Sequence, residues 1–428
     1  MDVVRKLLSV AAIALVPATV TVCYLLFGDY AALAFQMRDM EWDFLSGVIT
    51  ALLGVALIQV LPLADERHRQ ILAMLWLARI AVTLGLMLFY EGYYVVLDAQ
   101  GYYYNGLRLS DPWALFEYGM GTENITALVG LLSGLTRSYS ALKVIFAFIG
   151  LLGIYITYLA AARAFGREIP GLLIALGLMP SILFWSSILG KEPVTSFGIA
   201  LICWGAVGYF TGRGWSALLA LAIGLVIAAS IRSWLAAIFI APIIATIFLG
   251  GRVSPAVKGV TMLAAVPVFL LTVQRFAEHF AIDSAQQLIQ QTNQLAKGFA
   301  TGGSAQKIET QFTSLLDMIL FVPKGMFAAL FRPLPGEIMN PFGILAGLEN
   351  AAVLALLVKG MLRQPLRAVL RQPVLLWAVL TVMAWGAFYG FASYANLGTA
   401  FRFRQMIMPV LLPLVLFLAY GPVLSRQR

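Results

Sequence analysis

Charge is what this chain has least of. Of 428 residues only 11% are Asp, Glu, Lys or Arg, where a soluble domain carries about 25%. That shortage excludes an ordinary soluble fold. Cysteine and histidine are also scarce, with two of each. Cys23 and Cys203 lie inside apolar runs and read as packing residues, so no disulfide framework is expected. His68 and His279 are far apart and show no Cys/His spacing, so no zinc site is expected and no metal ligands are assigned. The phosphate-cradling P-loop and the dinucleotide fingerprint are missing too, which excludes nucleotide chemistry of those kinds. The net charge is +9, but it comes from short basic loops rather than a basic tail or stripe, so no nucleic-acid partner is implied.

What is there is apolar sequence. Hydrophobic residues make up 61% of the chain and the mean hydropathy is +0.89. Apolar runs near the roughly 20 residues needed to cross a bilayer recur from end to end. In lipid the backbone must satisfy its own hydrogen bonds, so such runs are helices. The expected fold is an all-α polytopic membrane protein of about twelve transmembrane helices, forming one integral membrane domain over 1–428. The first cores are Leu7–Phe27, Leu45–Leu63, Ile71–Tyr90, Ala141–Phe165, Pro170–Leu189 and Thr195–Phe210. The rest are Trp215–Ile231, Trp234–Gly250, Gly259–Val273, Pro341–Val358, Pro373–Tyr394 and Gln405–Tyr420. The stretch Phe312–Phe331 is interrupted by Asp317, Pro323 and Lys324, which points to an interfacial or re-entrant helix. The leading apolar run exceeds the about 7–15 residues of a signal peptide and reads as an uncleaved first span.

The positive-inside rule orients this bundle. Arg5 and Lys6 place the N-terminus in the cytoplasm. Alternation then puts Arg67 and Arg69, Arg163 and Arg167, Arg213, Arg252 and Lys258, Lys359 to Arg371, and Arg426 and Arg428 on the same side, with the C-terminus. The long loops, about 28–44, 91–140 and 275–340, therefore face outward and carry interfacial helices. Among them, the polar stretch Asp283–Gln311 reads as an amphipathic helix followed by a Gly-rich lid at Thr301–Ser304.

Four outward clusters carry chemistry. The first is Asp98 followed by Tyr102, Tyr103, Tyr104 and Asn105. A carboxylate can act as general base on a hydroxyl, and aromatic faces suit sugar rings. The competing reading is an interfacial aromatic belt with a solvated acid. The second is Phe184-Trp-Ser-Ser-Ile-Leu-Gly-Lys-Glu192, a short turn carrying Lys191 and Glu192. There a cation could meet a phosphate, or the two charges could pair locally. The third is Phe331-Arg-Pro-Leu-Pro-Gly-Glu337, with Arg332 and Glu337 at the interface and Glu349 roughly 12 Å down the next span. An intramembrane acid suggests function, or else a pairing with another intramembrane charge such as Arg79. The fourth is Phe401-Arg-Phe-Arg404, whose Arg402 and Arg404 offer forks for phosphate or else snorkel to lipid headgroups. Arg232, in a short outward turn, joins this cationic set. Asp39 stands as a rival acid, with Glu41 and Asp43 beside it expected to be solvated, and Asn124-Ile-Thr126 fits a glycosylation sequon.

The stretch Asp98-Ala-Gln-Gly-Tyr-Tyr resembles the first external loop of GT-C-type integral membrane glycosyltransferases. Phe-Trp-Ser-Ser-x-x-Gly-Lys-Glu, Phe-Arg-Pro-x-Pro-x-Glu and Phe-Arg-Phe-Arg-x-x-x-x-Pro resemble bacterial exopolysaccharide or O-antigen polymerase-type membrane proteins. The resemblance runs from about Tyr90 to the C-terminus in layout, through short motifs. It departs from the family in placing the acid after the third span rather than the first, and in carrying no soluble external domain. It implies transfer of a sugar or oligosaccharide from a polyprenyl-(pyro)phosphate donor to a saccharide or lipid-linked acceptor. The site would face the exterior of a bacterial inner membrane, alongside other polysaccharide-export components. On that reading Asp98 is catalytic, activating or orienting the acceptor, Lys191, Arg232, Arg332, Arg402 and Arg404 bind phosphate, Glu192 and Glu337 orient those cations or bind sugar hydroxyls, and Tyr102 and Tyr103 stack on sugar. No cofactor is assigned, and a divalent cation is left open. The alternatives are a transporter or flippase of lipid-linked saccharide, which twelve spans also suit, and a non-catalytic envelope scaffold.

Overall fold

A computed structural model describes all residues except Met1, 36–38, 62–64, 94–97, Arg213, 250–254, 301–303, 308–309 and 425–428, and leaves out the side chains of 2–16, 34–35, 255–258, 260–261, 264 and 279. Seven of the cations behind the expected orientation, Arg5, Lys6, Arg213, Arg252, Lys258, Arg426 and Arg428, and most of the Gly-rich stretch expected to be a lid, lie outside the described residues or side chains.

Helices are the dominant regular structure of the described residues, which contain no strand, and their single β-bridge joins Ala305 to Asn396. The protein is therefore all-α, as its apolar runs require. Among the described residues, seven helices are long and apolar enough to cross a membrane. They are Met40–Gln59, Glu66–Tyr93, Tyr139–Phe165, Lys191–Phe210, Gly214–Ile231, Pro341–Arg363 and Pro373–Ser393. An eighth arises if Leu397–Arg404 and Met408–Tyr420, bent by 79°, act as one broken span. This is a polytopic membrane protein.

Several expected spans have a more detailed form. The run Pro170–Leu189 is two short helices, Pro170–Leu178 and Pro180–Trp185, interrupted at Met179. Proline has no N–H to extend the preceding helix and its fixed φ suits a first helical turn, and here Pro180 starts a new helix. Trp234–Leu249 has 16 residues, while the first helix runs Asp2–Phe35 over 34 residues. The interrupted stretch forms one helix, Leu315–Phe331, that retains Pro323 inside it. A capping box starts it: Ser314 accepts from the Asp317 N–H, and Asp317 reaches back to the Ser314 N–H.

The chain packs as two compact units. The first comprises Met1–Leu159, Ile169–Ala200 and Ser230–Arg232; the second comprises Ala160–Glu168, Leu201–Ala229 and Ser233–Arg428. The first unit has a core built on Leu88, Tyr102, Tyr103, Ile125, Val129, Tyr139, Leu142 and Phe146. The second has an aromatic core in which Phe312, Phe321, Phe391 and Tyr394 meet edge to face and tilted.

Candidate functional site

The first unit gathers several of the residues singled out in the sequence. Asp98 opens a helix, Asp98–Leu107, and is exposed there. Ala99, Tyr102, Tyr103 and Gly106 recur at three- and four-residue spacing on that helix and are buried. The tyrosine run is thus an amphipathic helix whose inner face is aromatic. It lies close against the Gly121–Leu132 helix, because a Cβ at Gly106 would stand 2.9 Å from the Thr126 carbonyl. Tyr103 donates to the Arg137 carbonyl at 2.7 Å, and its ring packs on Tyr104 and Tyr139. Burial, and then the charge of Asp43, push the Tyr103 phenol up to about 12.

The start of the Gly121–Leu132 helix binds two turns at once. Lys191 donates to Thr122 Oγ1 at 2.8 Å, and its ammonium lies 6.0 Å from the centre of the Tyr102 ring. Asn124 donates to the Ser230 carbonyl at 2.7 Å, and Gly121 passes so close to the Ile231 carbonyl that a Cβ there would collide with it. Arg232 follows directly in this turn and is half-buried. Tyr102, Lys191 and the Arg232 turn therefore converge on one helix start, and Asp98 stands one turn before Tyr102 on its own helix. Glu192 is buried beside Gly190, in the first turn of the Lys191–Phe210 helix. Asn124 is itself buried, and its amide both accepts from and donates to the Glu117 backbone, so it fastens the loop rather than presenting a sequon.

Beneath this group lies a charge cluster that the sequence reading passed over. Glu91 accepts from Lys143 at 2.7 Å and from the Tyr139 hydroxyl at 2.9 Å, and both charged side chains are 2% exposed. Asp43, expected to be solvated, is buried instead and accepts from the Tyr139 and Ser140 N–H groups. It caps the Tyr139–Phe165 helix from a distant segment, where the helix dipole favours a negative charge. The available signal was Lys143 within an otherwise apolar run and Glu91 at the end of another. Asp39, the rival acid, accepts from the Trp42 N–H and caps its own helix.

The second unit holds the other cations. Arg404 is fully buried; its Nη2 donates to Glu349 at 3.3 Å. Its Nη1 lies 3.5 Å from the Leu330 and Arg332 carbonyls, and its Nε has no partner. Glu349 thus pairs within its own unit, while Arg79, suggested as its partner, donates to Ser186 and Ser187 in the first unit. Arg402 is half-buried. Residues two apart on the Leu397–Arg404 helix point to different sides, so Arg402 and Arg404 do not form one fork. Arg332 and Glu337 make a two-point ion pair at 2.6 and 2.7 Å, and Glu337 also accepts from the Leu334 N–H. Burial draws the Glu337 carboxyl upward, but the Arg332 and Leu334 hydrogen bonds outweigh it and hold it below the usual range. The Arg332–Pro335 segment of this loop runs over the Pro341–Arg363 helix, where Asn350 donates to the Pro333 carbonyl and Gly347 clears the Leu334–Pro335 backbone.

Searches against family models, curated proteins and solved structures find no match to this chain.

Proposed function

We propose that this protein is an integral membrane glycosyltransferase or polymerase using a polyprenyl-(pyro)phosphate-linked sugar. The sugar's anomeric carbon–oxygen bond to phosphate breaks, a new glycosidic bond forms to an acceptor hydroxyl, and the phosphate leaves with the lipid. One observation carries the reading: Tyr102, Lys191 and the Arg232 turn converge on the Gly121–Leu132 helix start, and exposed Asp98 stands one turn before Tyr102 on its own helix. An exposed carboxylate can take the acceptor's proton, and an ammonium at a helix N-terminus, with Arg232 in the adjoining turn, suits a departing phosphate. Arg332, Arg402 and Arg404 are assigned further contacts to anionic lipid, with Glu192 and Glu337 orienting cations. Tyr102 and Tyr103 sit mostly within the core, so sugar contact falls to the edge of the Asp98–Leu107 helix. The resemblance to GT-C-type and polymerase-type proteins and the positive-inside count support an outward-facing site in a bacterial inner membrane, working in cell-surface polysaccharide synthesis.

The test is purified protein in liposomes with a lipid-linked saccharide and an acceptor. A new glycosidic product is expected, and Asp98→Asn should abolish it while leaving folding intact. Full transfer by Asp98→Asn would sink the assignment. A second reading, a flippase for lipid-linked saccharide, is favoured by the broken run Pro170–Trp185 and the 79° bend before Met408. In the same liposomes it predicts intact donor moved between leaflets.

A further inference from the structure

Arg79 stands at the middle of the Glu66–Tyr93 span and is 0% exposed. Immediately after it, residues Ala81–Leu86 loosen into a π-helix, a local widening that is rare in proteins and often found at functional sites. Its Nη1 donates to the Ser186 carbonyl at 3.0 Å and to Ser187 Oγ at 3.1 Å. Thr83, one turn on, donates to the Ser187 carbonyl at 2.8 Å. These contacts explain one corner of the guanidinium: it satisfies carbonyls freed where the Pro180–Trp185 helix ends. The Tyr139–Phe165 helix closes the other side, since a Cβ at Gly150 would collide with the Ser186 carbonyl.

The other corner is unexplained by the fold. Nε and Nη2 have no hydrogen-bond partner, and Arg79 makes no ion pair among the described residues. Lys143 and Arg404, the other fully buried Lys and Arg side chains among the described residues, each face a glutamate. An uncompensated charge at membrane depth is strongly unfavourable, and a buried polar group without a partner points to something that binds it. The two vacant donors are not random. Nε–H and the neighbouring Nη2–H form the edge of a guanidinium that takes two oxygens of one anion side by side.

We infer that the Nε/Nη2 edge of Arg79 is a binding site for a phosphate group, held bidentately, with Ser186, Ser187 and Thr83 fixing the guanidinium in place. The inference goes beyond the transferase reading and stands without it, because phosphate binding at Arg79 requires no sugar transfer.

The test is thermal unfolding and equilibrium binding of the full chain in detergent, with inorganic phosphate, a short-chain polyprenyl phosphate, or acetate as probe. Wild type should be stabilised by at least one of the two phosphates. Stabilisation by inorganic phosphate means a site open to water; stabilisation by the polyprenyl phosphate alone means one entered from lipid. Arg79→Lys keeps a charge but loses the fork, and should weaken that binding by about tenfold or more, the loss of one charge-assisted hydrogen bond. Ser187→Ala, which frees Nη1 while sparing the edge, should weaken it less and decides the matter if Arg79→Lys does not fold. No phosphate effect on wild type, stabilisation by acetate alone, or unchanged phosphate binding in whichever of the two variants folds would overturn the inference.

Discussion

Two buried ion pairs, one in each unit, look alike in sequence and differ in build. In the first unit Lys143 and Glu91 meet at 2.7 Å, and the Tyr139 hydroxyl occupies the second carboxylate oxygen. In the second unit Arg404 and Glu349 meet at 3.3 Å, the two carbonyls beside Arg404 stand at 3.5 Å, and Nε has no partner. A buried pair contributes to stability only when its geometry is tight and its remaining donors and acceptors are filled. The first pair meets that condition and reads as a fastener. The second keeps donor capacity in reserve, which is what a cation that meets an anionic ligand needs.

That contrast can be broken by experiment. Lys143→Met should have the largest effect, destabilising the protein by about 3–5 kcal/mol, because it leaves the buried Glu91 without its cation and with the Tyr139 hydroxyl as its remaining partner. Thermal unfolding in detergent measures it, and adding Glu91→Gln should restore much of the loss. Asp43→Asn should come next at about 2 kcal/mol, since the helix it caps loses a charge-assisted partner but retains an acceptor. Arg404→Lys should cost only about 1–2 kcal/mol, because the bonds it gives up are long. Its larger consequence should be a fall in transfer of about tenfold or more in the liposome assay. If Arg404→Lys destabilises as much as Lys143→Met, the two pairs are the same kind of object and the contrast fails.

The smallest effect concerns Tyr103. Tyr103→Phe removes one hydrogen bond, to the Arg137 carbonyl, and should cost about 0.5–1 kcal/mol near neutrality. The phenol is raised in the folded state from 10.0 to about 12. Its neutral form therefore stabilises the fold fully below pH 10.0, and that contribution is lost as the pH rises through about 12. The gap between wild type and Tyr103→Phe, followed by unfolding at several pH values, should close across that window. Because the Asp43 charge adds to the shift, Asp43→Asn should move the window down. A gap that stays constant would mean Tyr103 does not titrate with the fold.

Much of the architecture was legible because lipid leaves the backbone few options. Apolar runs near 20 residues had to be helices, and Met40–Gln59, Tyr139–Phe165 and Pro373–Ser393 follow them closely. Where a proline sat inside a run, hydropathy alone could not say whether the helix would bend or break. Pro323 stays within its helix, Pro180 starts a new one, and the chain between Arg404 and Met408 turns by 79°. Asp98–Leu107 is a helix where a loop is expected, and the three- and four-residue recurrence of Ala99, Tyr102, Tyr103 and Gly106 is its helical signal.

The amino-acid sequence by itself determined the solvent this protein folds in and the helical state of its chain, since both follow from local composition and the backbone's need for hydrogen bonds. Only the tertiary structure decided what each charge does. It seated Asp43 under a distant helix, closed Glu91 on Lys143, and left Arg79 with half of its guanidinium unspent. The physical reason is that a charge inside a membrane protein takes its meaning from its partner. Those partners lie 96 residues away for Asp43 and Tyr139, 52 for Glu91 and Lys143, and 107 for Arg79 and Ser186, beyond the reach of any local pattern.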